Sequence, residues 1–345
     1  MATNYYEAWL ETQRRVAERI KGGSPIMSLD KATWIKTPYD ARSAAMIHPD
    51  NGFYTMGSTT FINEIPVGWN TGKHCHGEES IYILAGEGFS IVGERRYEWK
   101  AGDALQIYHG VVHQHFNSDS RPVRYLSAMA TDVELEMKIL SLEHYEDAAR
   151  TTPGKLANAS DVPLGHFEWT GRTFSYDPLH VLNAEPNLQA DQMKQVGLMK
   201  ALREKYENGR VLIRKEEMPT AEDSQGGGTN WSLITRDAGF THTMIHIDFI
   251  KELIPHSQSG RHAHGEALVY MLEGKGYSII ESEKYDWKAG DWIHVKGPYT
   301  DHQHFNPYDE TVRYLRVGSL PRHVYPNYDC KEQFSNAEPL TSNGL

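Results

Sequence analysis

The sequence predicts a mostly β protein of two tandem sandwich- or barrel-like domains with short flanking helices. Three observations point there: the chain is written twice, each copy is rich in aromatic and β-branched runs, and no long helical pattern separates those runs. "HCHGEE" from His74 matches "HAHGEA" from His262, and "YEWKAGD" from Tyr97 matches "YDWKAGD" from Tyr285, both 188 positions apart. "HQHFN" at His113 and "VRYL" at Val123 recur at His302 and Val312, now 189 apart. Four anchors in one order mark a duplicated domain with one residue inserted in the second copy.

In chain order, Tyr6, Trp9, Leu10, Val16 and Ile20 space out one apolar face of a helix over Tyr5 to Ile20. "SIYILAGEGFSIVG" and its counterpart "LVYMLEGKGYSIIE" read as strand pairs broken at Gly-x-Gly. "WKAGD" reads as a turn with glycine at its tightest point, preceded in each copy by a tryptophan (Trp99, Trp287) that caps the core. "TTPGKLANASDVPLG" from Thr151 is turn-rich and reads as the approach to a linker. The domain boundary is expected near residue 180, dividing 1–180 from 181–345, with repeat cores at about 55–130 and 240–320. A second helical lead-in is expected over Asn187 to Tyr206, and "SQGGGT" at Ser224 reads as a flexible loop rather than a phosphate cradle.

Composition limits the function classes. A formal net charge of −11 disfavours a broad electrostatic grip on nucleic acid or anionic membrane. The two cysteines, Cys75 and Cys330, cannot build a disulfide framework. Neither a secretory pattern nor a membrane-length apolar run is evident, so a cytoplasmic protein is expected. There is no nucleophile elbow, phosphate-binding loop or paired dinucleotide fingerprint.

The histidines are the chemically informative residues. Side chains two apart on a strand share a face, so His74 and His76 project together, as do His262 and His264. The same parity groups His113, His115 and Asn117, and in the second copy His302, His304 and Asn306. Were the two histidine-bearing strands of a copy adjacent, three or four neutral imidazoles would converge, a donor set suited to iron, copper, zinc or nickel. A lone His-x-His is more often structural; its recurrence with the downstream histidine favours metal.

These motifs resemble those of the cupin superfamily. Gly68, His74, His76, Glu79 and Gly86 follow the first cupin motif, one residue short between His76 and Glu79. Gly102, Gly110, His113 and Asn117 follow the second, with Tyr108 in the proline position. In copy two Gly290, His302 and Asn306 fit with one extra residue. The resemblance implies two tandem cupin (double-stranded β-helix, jelly-roll) barrels. It implies metal ligands at His74, His76 and His113, with Glu79 as a candidate fourth, and at His262, His264 and His302. The motif glutamate of copy two falls on Ala267, while Glu78 and Glu266 have outward parity. The alternative for Glu78 and Glu79 is solvated loop charge.

His115 and His304 are candidate catalytic residues, able to orient substrate or relay a proton, with a core histidine as the alternative. His294, which aligns with Gln106 of copy one, adds a titratable group of uncertain face. Ile81, Ile83, Val269 and Met271 are expected to line the barrels. Arg124 and Arg313 could fork onto a carboxylate but are more often surface residues.

At this length the two-domain pattern looks like the gentisate dioxygenase group. That resemblance implies an iron(II) dioxygenase cleaving a hydroxylated aromatic acid or related phenolic with O2, as a homo-oligomer and without nucleic acid or membrane partners. Manganese, zinc or nickel are the alternative metals, for a non-oxidative isomerase, lyase or decarboxylase. A non-catalytic binding bicupin is the third reading.

Overall fold

The computed structural model describes residues 4–139, 142–165, 209–223, 227–236, 238–241, 244–297, 299–319 and 332–340. The expected boundary near residue 180 and the expected helix over Asn187–Tyr206 lie outside the described residues, as does Cys330.

Each repeat folds as two facing antiparallel sheets. In the first, Ala104–Ile107, Glu79–Ala85, Val123–Met129, Thr59–Ile65, Ala41–Ala45 and Trp34–Thr37 run side by side in that order. The facing sheet is centred on His113–Asn117, flanked by Lys73–Cys75, Trp69–Asn70 and Glu87–Val92. The second repeat reproduces both: Asp291–Val295, Ala267–Glu273, Val312–Ser319 and Ile245–Leu253 in one sheet, with Thr300–Asn306 central in the other.

Side-chain alternation divides each large sheet into an inner and an outer face. Ile81, Ile83, Leu105, Ile107 and Tyr125 fill the first barrel, and Val269, Met271, Ile293, Val295 and Tyr314 fill the second. Residues of opposite parity, including Tyr82, Leu126 and Ala128 from one repeat and Leu268, Tyr270, Leu315 and Val317 from the other, share one apolar layer. The two large sheets therefore pack back to back.

The barrels also trade edge strands. Ile26–Ser28, ahead of the first repeat, pairs with Asp291–Val295 of the second, setting Met27 opposite Trp292. Leu212–Ile213, ahead of the second repeat, pairs with Ala104–Ile107 of the first, setting Leu105 opposite Leu212.

The turn glycines behave as their sequence suggests. Gly102 and Gly290 have φ of +97° and +91°, the left-handed region that favours glycine. A Cβ on Gly88 or Gly276 would lie 2.4 Å from the indole of Trp99 or Trp287, so the second glycine of Gly-x-Gly makes room for the tryptophan.

Three local expectations need correction. Pro153–Ser160, within the stretch read as turn-rich, is helical; proline fits the first helical turn, and Leu156, Ala157 and Ala159 then carry the helix. Gly227–Ser232 forms a strand, which takes in the end of the expected loop. The first helix, Tyr5–Lys21, forms as expected and is capped by Asn4, which accepts from Glu7 N at 2.9 Å. Two residues of its expected apolar face, Tyr6 and Trp9, are 64% and 46% exposed and so are not covered by the described residues.

Candidate metal centres

Each barrel brings its three motif histidines together. His113 pairs directly with His74 across the sheet, and His302 with His262. In both sets, His74, His76 and His113 or His262, His264 and His302, the ligand atoms lie within 4.8 Å of one another, and all six residues are buried.

The backbone fixes the orientation of every ring. Nδ1 lies 3.0 Å from Gly72 O in His74, 2.8 Å from Gly77 O in His76 and 2.8 Å from Val111 O in His113. In the second barrel the partners are Gly260 O at 2.7 Å, Gly265 O at 2.5 Å and Thr300 O at 2.8 Å. A carbonyl only accepts, so Nδ1 carries the hydrogen and Nε2 keeps its lone pair. His113 Nε2 is buried without a hydrogen-bond partner among the described residues. A buried lone pair left in this state fits a divalent metal, and so does the donor set around it.

Burial also disfavours the charged form of four of these rings. It is the main cause lowering His74 to about 4, and it holds His113, His264 and His302 well below the ordinary histidine value. His76 is the exception: burial pulls its pKa down, but the Glu79 carboxylate outweighs that and raises it.

Glu79 is inside the first barrel, not on a solvated loop. Its Oε2 is 3.4 Å from His76 Nε2 and 3.9 Å from His113 Nε2, and Ser127 Oγ donates to its Oε1. Burial opposes its charge, yet His76, His115 and Ser127 together lower its pKa to about 2. Glu78 is also buried, and it turns outward to the second repeat, accepting from the backbone N–H of Met244. Both results overturn the solvated-loop alternative, because this stretch is covered by the strand pairing that follows it.

His115 and His304 occupy matching positions. Ser90 Oγ accepts from Trp99 Nε1 at 2.8 Å and lies 2.6 Å from His115 Nδ1. Ser278 does the same between Trp287, at 2.8 Å, and His304, at 2.7 Å. The serine hydroxyl, with one hydrogen and two lone pairs, thereby ties the indole to the imidazole in each barrel. Burial lowers the pKa of His115 to about 4 and that of His304 to about 3, so both rings are neutral near pH 7.

The remaining candidates sort cleanly. His294 is buried between the barrels, 2.7 Å from Glu266. Arg124 and Arg313 spend their donors on the chain's own carboxylates, Arg124 on Glu64 at 2.9 Å and Arg313 on Glu252 and Glu273 at 2.8–3.0 Å.

Sequence reasoning missed the second half of each site. Continuing the 189-residue offset past "VRYL" aligns Ser127 with Arg316. Both face inward, opposite Ile81 and Val269 respectively. Asn63 likewise gives way to Lys251, 3.1 Å from Asp223. Asp40, half-buried at the first barrel, accepts from Tyr125 OH at 2.9 Å.

The cupin domain family matches residues 61–129 and 249–318, the two repeat cores. The chain is a bicupin. No curated protein sequence is significantly similar to it. Among solved structures, salicylate 1,2-dioxygenase from Pseudaminobacter salicylatoxidans is 13% identical over 88% of this bicupin and 80% of its own chain, with a TM-score of 0.55. The same enzyme with gentisate adducts is 13% identical over 85% and 77%, with a TM-score of 0.56. An oxalate decarboxylase is 13% identical over 90% and 79%, with a TM-score of 0.55. At these identities the likeness is one of fold. Among the described residues no helix is long and apolar enough to cross a membrane.

Proposed function

We propose that this bicupin is an iron(II)-dependent extradiol-type dioxygenase that cleaves the ring of a hydroxylated aromatic acid or related phenolic. The observation that carries the reading is the convergence of three imidazoles in barrel two with no carboxylate among them: His262, His264 and His302, beside Ala267. Such a donor set leaves coordination positions for a chelating substrate and dioxygen, and bound iron(II) would supply the redox chemistry between them. The chain's own residues would do the rest. Val269, Met271 and Tyr314 form an apolar wall that excludes water and accepts a flat ring. His304, held at Nδ1 by Ser278, would present its Nε2 to a substrate oxygen and exchange a proton there. The fold shared with an enzyme solved in the presence of gentisate supports the substrate class. The test is oxygen uptake by the iron-reconstituted protein with a panel of hydroxylated benzoates and catechols. Uptake with at least one is expected, and none despite full iron loading overturns the reading.

A second reading rests on Glu79, 3.4 Å from His76 Nε2. An oxygen donor beside three histidines favours a harder ion such as manganese, and a non-oxidative decarboxylase, isomerase or lyase in barrel one. Turnover that persists under argon selects this reading.

A further inference from the structure

We infer that Arg316 makes barrel two, and not barrel one, a binding site for a small organic carboxylate. The inference deepens the reading above by giving the acid group of the substrate a partner and a barrel.

Arg316 is a largely buried cation. Its side chain is 14% exposed, and Nη1 lies 2.7 Å from Asp248 Oδ2. The guanidinium carbon sits 5.2 Å from the Phe249 ring centre. These contacts leave Nε and Nη2 buried with no hydrogen-bond partner among the described residues. The two atoms share one edge of the guanidinium, and that edge matches the two oxygens of a carboxylate.

In two other arginines of the molecule this edge is filled. Arg261 turns Nε and Nη2 to Asp301, with Nε at 2.9 Å from Oδ2. Arg313 turns the same pair to Glu252 at 3.0 and 2.9 Å. Both of those arginines are far more exposed than Arg316. The most buried of the three is thus the one whose fork is empty, although burial makes unmade hydrogen bonds costliest.

The empty fork belongs to the candidate metal centre. Arg316 pairs across the sheet with Val269, whose side chain lines the barrel, and is two residues beyond Tyr314, whose ring lies 5.6 Å from that of His304. Burial is the main cause of the low basicity of His264 and His302, and the charge of Arg316 adds to it in both. A ligand held by this edge would reach the metal side of the barrel with its remaining groups.

Barrel one is built to refuse the same ligand. Ser127 replaces the arginine and donates to Glu79. Glu79 is buried there and Asp40 half-buried, close enough for their charges to interact. An incoming carboxylate would meet two carboxyl groups and no free guanidinium edge.

The test is calorimetric titration of the full-length, iron(II)-reconstituted protein under argon with benzoate, which has no ring hydroxyl with which to chelate. One benzoate per chain is expected. Benzamide, its neutral isostere, should bind at least tenfold more weakly, and Arg316→Gln should lose at least tenfold in benzoate affinity. No benzoate binding, equal affinity for benzamide, an unaltered Arg316→Gln, or two benzoates per chain each overturns the inference. Should Arg316→Gln fail to fold, the benzoate–benzamide pair on the unmodified protein decides alone. The titration involves no oxygen and no turnover, so its outcome is separate from that of the oxygen-uptake test.

Discussion

Glu266 Oε2 accepts the backbone N–H of Met56 at 2.8 Å, across 210 positions of sequence and from one barrel to the other. Its second oxygen lies 2.7 Å from His294 Nε2, so a single carboxylate joins a strand of its own barrel to the entry loop of the other. Glu78 mirrors it, accepting from Met244 N and, at 3.4 Å, from Ile245 N. The glutamate that follows His-x-His-Gly in each repeat is therefore a clasp on the opposite repeat. Glu266→Ala would leave His294 and the Met56 amide without their acceptor in a buried site. A loss of roughly 2–4 kcal/mol in urea unfolding is expected, with Glu266→Gln recovering a large part of it.

Metal content separates the two centres. The unmodified protein is expected to bind two divalent ions per chain. His74→Ala and His262→Ala should each reduce that to one, because three imidazoles converge independently in each barrel. His115→Ala should retain two, since its ring is tied to Ser90 outside the three-histidine set. Elemental analysis after reconstitution reads all three.

The Trp–Ser–His relays are expected to matter for stability and for ring orientation. Ser90→Ala removes the acceptor of Trp99 Nε1 and the partner of His115 Nδ1, all buried. A loss of roughly 1–3 kcal/mol is expected by thermal or chemical unfolding. Ser278→Ala should behave alike in barrel two, and a difference between the two variants in kcat at unchanged KM would locate turnover in one barrel.

Asp40 gives the pH prediction. Burial, and then the charge of Glu79, raises its pKa from 3.8 to about 6, against the hydrogen bond from Tyr125 and the field of His76. The folded carboxyl thus holds its proton up to about pH 6, whereas the unfolded one releases it near 3.8. Between those values the folded state binds more protons, so rising pH weakens folding through this window. The penalty is absent below the unfolded pKa and complete above the folded one, at up to about 3 kcal/mol for a shift of roughly two units. Asp40→Asn should therefore stabilise the metal-free protein at pH 7.5 and leave it unchanged at pH 4. Equal effects at both pH values would contradict this assignment.

The repeated letters made the histidines legible. Strand parity is local, so His74 with His76 and His113 with His115 could be placed on one face before any fold was known. Their meeting point required the pairing of His113 with His74, and the duplicated motifs implied it. The partners that polarise each site were not legible in this way. Glu78 and Glu266 act on backbone amides of the other repeat, and no pattern within a repeat announces such a partner. Arg316 was within reach, since the offset that aligns "VRYL" also aligns Ser127 with it. Comparison of the repeats brings out what the two copies share, and this position carries what they do not. The helix Tyr5–Lys21 shows the opposite limit: its periodicity was correct, but periodicity does not say whether the chain itself covers the apolar face.

The crossing of Ile26–Ser28 into the second barrel and of Leu212–Ile213 into the first has a consequence for the history of the duplication. A polypeptide severed midway would not fall into two equal ancestors. Each fragment would lose a border strand to the other and carry an orphaned one of its own, with Met27 and Leu212 stranded on the wrong piece. Once the exchange had evolved, neither half could be discarded or inherited alone. A barrel whose chemistry decayed would still be retained as the sleeve for its neighbour's edge.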